Sequence, residues 1–252
     1  MVQWPHTAVA TRLRRCVAQV DSATGVSFPA TSRFGDSANM ACLGVGHRAK
    51  KIAFIEVKVY AVAVFADADK AVADAAERAR SGGLDTDDAC AEAFLSGQYD
   101  KVLQLELVRD VDGETFGDAI RKSLEAPVTA MGEASALEEF KAFFLGRKLS
   151  RGTNVVLRWR PEGALEVSVE PGQVDWSSVK AGLRISSAGM SRALFGVFGE
   201  SRRPVSHAAP GPTVFSMIHG AYLPAVGSGT TVPEARRAAV AGIRALTAGA
   251  LA

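Results

Sequence analysis

With 252 residues, 48% of them hydrophobic and 22% charged, the chain has an ordinary globular composition and enough length for one large domain or two small ones. Its 29 basic residues nearly balance its 27 acidic ones, for a net charge of +2, which leaves no electrostatic footprint for nucleic acid. Three widely spaced cysteines, Cys16, Cys42 and Cys90, exclude a zinc site of the CxxC kind and suit a reducing compartment. No apolar run approaches the roughly 20 residues of a membrane span. The stretch before Asp21 carries Arg12, Arg14 and Arg15 but no acid. It reads equally as the remnant of an organelle transit peptide or as a frayed basic terminus.

In chain order, Cys16 to Ala30 reads as a hairpin. Its strands are Cys16 to Val20 and Val26 to Phe28, around Asp21-Ser22-Ala23-Thr24-Gly25. Ala41 to Arg48 is short, apolar and Gly-rich, a plausible strand. Ile52 to Phe65 is the clearest strand: Val57, Val59, Ala61, Ala63 and Phe65 share one face, and Lys58, Tyr60, Val62 and Val64 the other. Asp67 to Arg80 and Thr86 to Ser96 read as helices, stopped by Gly82-Gly83 and opened by Asp85 to Asp88 respectively. Val102 to Val108 alternates as a strand. A helix from about Glu114 to Glu125 carries the stripe Phe116, Ala119, Ile120, Ser123, Leu124, and Pro127 is expected to end it. Another helix spans about Glu133 to Leu145. Asn154 to Arg160 and Ala164 to Glu170 flank Pro161-Glu162-Gly163 as a second hairpin. A linker containing Gly172 and Gly182 leads to a helix over Ser187 to Phe198, and a last helix is expected from Glu234 to about Leu246. The order argues an α+β fold, an antiparallel β-sheet covered on one face by helices, rather than a doubly wound parallel sheet.

Few motifs carry chemistry. Gly44-Val45-Gly46-His47-Arg48-Ala49 matches G-x-G-x-x-A by letters, but an alternating strand follows where a dinucleotide site needs a helix. Ser177-Ser178-Val179-Lys180 matches S-x-x-K without the partner motifs of that chemistry. His6, His47, His207 and His219 lack metal-ligand spacing, so neither a metal nor any other cofactor is expected. By pattern alone, Arg48 is a solvated turn residue in a basic run and Tyr60 a core tyrosine.

Several segments together resemble the chalcone isomerase family, and its plastid fatty-acid-binding branch in particular. The opening hairpin Val20 to Pro29 is similar to the family's. So are the turn Leu43-Gly44-Val45-Gly46-His47-Arg48-Ala49-Lys50-Lys51-Ile52 and the strand Val57-Lys58-Val59-Tyr60-Ala61-Val62-Ala63-Val64-Phe65. Phe116 to Leu124, Ala193 to Gly199 and Pro204-Val205-Ser206 lend further support. The resemblance spans about Val20 to Ser206. It divides the chain into an N-terminal extension (1–15), a chalcone isomerase-like domain (16–206) of open-faced sandwich architecture, and a Gly/Pro/Ala-rich C-terminal extension (207–252).

The resemblance implies a non-catalytic fatty-acid-binding protein, with two alternatives: a chalcone-flavanone isomerase, or an auxiliary chalcone isomerase-like protein that acts through partner contacts. True isomerases surround the substrate with an arginine, a threonine, a tyrosine, an asparagine and a further threonine or serine. Carried over, Arg48 matches the arginine, whereas Tyr60, Phe116, Ser123 and Gly196 stand at the other positions. Phe116 and Gly196 have no hydroxyl to stabilise developing charge, so catalysis is not expected. The fatty-acid-binding branch uses the arginine and a tyrosine from the V-Y strand, and Arg48 and Tyr60 fit both. The implied ligand is a fatty acid or similar small apolar carboxylate, with Val62, Phe116, Ile120, Ser123, Met190, Leu194 and Val197 as candidate lining. The implied location is the plastid stroma, with the cytoplasm as the alternative.

Overall fold

The computed structural model describes residues 18–52, 54–197, 237 and 240–245. The elements in chain order are β1 (Gln19–Val20), β2 (Ser27–Phe28), β3 (Thr31–Ser32), β4 (Met40–Ile52), β5 (Ile55–Asp67), α1 (Ala68–Arg80), α2 (Asp87–Ser96), β6 (Lys101–Leu107), β7 (Val111–Asp112), α3 (Gly113–Ala130), α4 (Ala134–Phe144), β8 (Lys148–Leu149), β9 (Thr153–Trp159), β10 (Leu165–Pro171), β11 (Leu183–Ile185) and α5 (Ala188–Val197). A helical stretch at 240–245 lies within the expected last helix, the ends of which fall outside the described residues, as do Cys16 and Val17 of the expected first strand.

Seven strands form one sheet in the order β11-β10-β9-β6-β5-β4-β3, and every neighbouring pair is antiparallel. Strand alternation sends each side chain to one of two cores. On one face Tyr60, Val62, Val64, Leu103, Leu105 and Leu157 pack against Ile120, Leu124, Phe140 and Met190 of the helices. On the other, Ala61, Ala63 and Phe65, with Met40 of β4, pack against Phe28, Phe34 and Trp176 from β2 and the loops. The helices therefore cover one face, as the sequence predicts.

The helix starts follow from their caps. Asp67 accepts from the Lys70 amide at 3.1 Å, Thr86 from Ala89 at 3.1 Å, and Asp112 from Glu114 at 2.8 Å. Glu133 precedes α4 but does not cap it. Its carboxylate instead accepts from the Ser187 hydroxyl and the Met190 amide, fixing the start of α5 against α4.

Three expectations need correction. Pro127 does not end α3, which continues to Ala130. Leu124 and Val128, on either side of the proline, are fully buried. Burial at about 1.5–3 kcal/mol each offsets the roughly 3 kcal/mol cost of an interior proline. The linker after Gly172 contains β11, whose three residues are too few to show a period. The segment carrying Arg48 is not a turn: it lies inside β4, which continues to Ile52.

Lys101 is almost fully buried (1% exposed) on the helix face. Its Nζ donates to the Gly97 carbonyl at 2.5 Å and stands 4.3 Å from the Trp159 ring centre and 4.5 Å from that of Tyr99. Desolvation pushes its pKa down to about 8. The unfolded chain then holds this proton up to a higher pH than the native state does, so the burial penalty, present at neutral pH, is relieved as pH rises from about 8 towards 10.5. Chemical denaturation across that window is expected to show a gain of roughly 3 kcal/mol, at 1.36 kcal/mol per pKa unit. Lys101→Met is expected to remove this rise; an unchanged pH profile in the variant would refute the assignment.

Candidate functional site

β4 and β5 are paired along nearly their whole length, and Arg48 lies directly opposite Tyr60. Cross-strand partners share a face, and Tyr60 belongs to the helix-side core. The Arg48 guanidinium accordingly sits over the Tyr60 ring, 5.9 Å from its centre.

Two bulges set this register. Cys42 pairs with Phe65 and Gly44 with Val64, leaving Leu43 as an extra residue on β4. Arg48 pairs with Tyr60 and Ala49 with Lys58, leaving Val59 as an extra residue on β5. The second bulge turns Val59 towards the helix-side core, not to the Ala61 face that plain alternation assigns it. The two glycines of the apparent dinucleotide motif are strand residues: Gly46 opposes Val62 and Gly44 opposes Val64. They present only backbone beside Arg48 on the helix face, and no phosphate-binding turn exists there.

Tyr60 is buried, and desolvation raises its pKa, with the adjacent Arg48 guanidinium partly opposing that rise. At neutral pH its hydroxyl is thus a neutral donor beside a fixed cation. Arg48 is half-buried, and no carboxylate among the described residues forms an ion pair with it. The Phe116 ring meets Tyr60 edge-on at 6.5 Å and packs on Phe144 at 4.9 Å.

The remaining sequence-derived lining residues divide. Val62, Phe116, Ile120, Met190 and Leu194 are buried members of the same helix-side core. Ser123 is half-buried, and its hydroxyl donates to the Ala119 carbonyl one turn back at 2.9 Å. The side chain of Val197 lies outside the described residues. Gly196 is buried, and apart from its chain neighbours and its own helix backbone no described atom comes within 4 Å of where its Cβ would stand.

A second polar constellation escaped sequence reasoning. Arg158 donates to Asp100 through Nε and Nη2 at 3.2 and 3.1 Å, and through Nη1 to Asp36 at 2.6 Å and the Phe34 carbonyl at 2.9 Å. Together with Arg160 it holds the Asp36 carboxyl down at a pKa of about 2. Arg158 also borders a cleft of about 300 Å³ with Phe34, Trp176 and Lys180, on the face away from the helices. Its donors already have partners, so its role is to tie the loops to the sheet. Its partners lie 58 and 122 residues away in sequence, and no local signal marks them. Among the described residues no group of acids, histidines and cysteines is arranged to hold a metal ion.

The family model described as chalcone isomerase like matches residues 38–211. No curated protein matches the sequence. Among solved structures, a fatty-acid binding protein of Arabidopsis thaliana is similar, with a TM-score of 0.66 over 92% of this chain and 99% of that one, at 19% identity. At that identity the likeness is one of fold.

The chain has three tyrosines, and both Tyr60 and Tyr99 have pKa values raised by burial. An ultraviolet titration of the folded protein is expected to show Tyr60 and Tyr99 ionising above the ordinary tyrosine value of about 10. Arg48→Ala is expected to move the Tyr60 transition further up, because the opposing cation is gone. An early second phenolate in the folded wild type would contradict the enclosed hydroxyl.

Proposed function

The chain belongs to the chalcone isomerase-like family, and from that premise we propose that it is a non-catalytic fatty-acid-binding protein whose Arg48 and Tyr60 hold the carboxylate of the ligand. The observation that carries this reading is a half-buried guanidinium without an acidic partner among the described residues, in register with a buried tyrosine hydroxyl. A carboxylate beneath an apolar cover must be paired or it takes up a proton. Arginine supplies a permanent charge and a two-pronged fork, and tyrosine a further donor with no added charge. The acyl tail would enter the helix-side core among Val62, Phe116, Ile120, Met190 and Leu194, buried residues that part to admit it, with the half-buried Ser123 on the same helix as Phe116. The likeness in fold to a fatty-acid binding protein supports the same reading.

Magnitudes favour carriage over permanent retention. Burying about ten methylenes contributes roughly 8 kcal/mol at about 0.8 each. Association costs of about 4 kcal/mol or more offset about half of that. Among the described residues no helix is long and apolar enough to cross a membrane. The location that goes with this reading is the plastid stroma, with the cytoplasm as the alternative.

The isomerase alternative is disfavoured by Phe116. It stands where the resemblance implies a tyrosine, and its ring contacts Tyr60 and Phe144 but offers no donor to a developing oxyanion. No rate of chalcone cyclisation above the spontaneous one is expected.

Arg48→Ala is expected to weaken fatty-acid binding by about 2 kcal/mol or more, roughly thirty-fold, in a displacement titration with a fluorescent acyl probe. Tyr60→Phe should cost about 1 kcal/mol. Wild-type affinity in a folded Arg48→Ala protein would refute the site. Mass spectrometry of small molecules extracted from the purified wild type should find a fatty acid.

A further inference from the structure

Beyond Arg48 and Tyr60, β4 and β5 leave the sheet. Pairing between β5 and β6 ends at Tyr60 with Leu107, and β3 pairs with β4 only at Met40 and Ala41. From Ala49 to Lys58, β4 and β5 therefore project as a two-stranded ribbon closed by the pair Ile52 and Ile55. At its end Phe54 is 96% exposed and Ile55 69%, the two most exposed large hydrophobic residues described. The flanking sequence is cationic: it holds Lys50, Lys51 and Lys58 but a single acid, Glu56, whose backbone lies opposite that of Lys51 in the ribbon. Lys58 also donates to the Ala23 carbonyl in the turn between β1 and β2, anchoring the base of the ribbon.

Lysines on a projecting ribbon have an ordinary explanation, since they keep open strand edges from pairing with other chains. That explanation does not cover the apolar tip, which edge protection would make polar. A Phe and an Ile beyond a collar of lysines is the arrangement that enters a lipid interface, with apolar side chains among the acyl chains and ammonium groups at anionic headgroups. A protein partner fits less well. A stable protein interface buries about 800 Å² on each side, whereas a phenylalanine supplies about 200 Å² and the tip is convex. A fluid bilayer accepts a convex tip and needs no complementary groove.

We infer that the β4–β5 tip, through the exposed Phe54 and Ile55 and the cationic sequence that flanks them, docks the protein reversibly on anionic membrane surfaces. Four residue steps along β4 separate Arg48 from Ile52, so the carboxylate site stands roughly 14 Å behind the end of the ribbon at about 3.4 Å per residue. Docking would thus present that site towards the bilayer from which an acyl ligand is taken or to which it is returned. This last consequence rests on the fatty-acid-binding reading; the docking does not.

The test is flotation of the purified full chain with vesicles of phosphatidylcholine alone or mixed with phosphatidylserine. The wild type is expected to float with the mixed vesicles and to release as salt rises, because the lysine contribution is screened. The double variant Phe54→Ser/Ile55→Ser is expected to lose vesicle binding by about ten-fold while keeping fatty-acid affinity in solution. Lys50→Glu/Lys51→Glu should lose the preference for phosphatidylserine. Arg48→Ala should float as the wild type does, which separates failure of the carboxylate site from failure of the tip. A wild type that stays unbound to mixed vesicles, or a double variant that floats equally well, overturns the inference; the first result would point the tip towards a protein partner instead.

Discussion

The pairing of β4 with β5 governs everything else in this molecule. Both strands have 13 residues, and both lie inside the seven-stranded sheet before they leave it as a ribbon. Side chains alternate faces, so a slip of one residue would move Tyr60 out of the helix-side core and put Ala61 in its place. Two bulges, at Leu43 and Val59, absorb the mismatch between the strands and keep Arg48 and Tyr60 opposite one another. The candidate site therefore depends on backbone register before it depends on any side-chain contact.

Two arginines show what that placement means. Arg158 and Arg48 both sit on the sheet, on opposite faces. Arg158 is enclosed by Asp36, Asp100 and the Phe34 carbonyl, and its charge is matched within the fold. Removing one partner of such a buried pair costs far more than forming the pair gains, so the network works as a constraint on loop position. Arg48 has the Tyr60 ring beneath it and no acidic partner among the described residues. A guanidinium in partial burial without a counter-ion is a cost to stability. An anion from outside the chain would relieve it, which is the physical basis for reading Arg48 as a binding residue rather than a structural one.

Much of this was legible in the sequence. The alternation of Val57 to Phe65 and the stripe of Phe116, Ile120 and Leu124 marked the strand and helix that face each other across the core. Arg48 was harder, because Gly44, Gly46 and the run His47 to Lys51 carry the composition of a turn. Only a partner strand turns such a segment into β-structure, and pairing is a non-local property. The same holds for the bulges, which have no signature in either strand alone. The Arg158 network joins residues more than a hundred positions apart, and a charged residue within β9 gave no hint of its partners. Pro127 misled because a local rule about proline was outweighed by the burial of Leu124 and Val128 beyond its reach.

Phe116 is where binding and catalysis separate physically. A ring closure that develops negative charge needs donors aimed at the oxygen that receives it. Phe116 presents a hydrocarbon edge to Tyr60 and rests on Phe144, so that side of the site is an apolar wall. Ser123, about two turns further along the helix, gives its hydroxyl hydrogen to the Ala119 carbonyl one turn back. Facing that wall are the Arg48 guanidinium and the Tyr60 hydroxyl, both on the strand side. Such a one-sided arrangement suits a ligand with a charged head and an apolar body. It suits poorly a substrate that must be polarised from several directions at once.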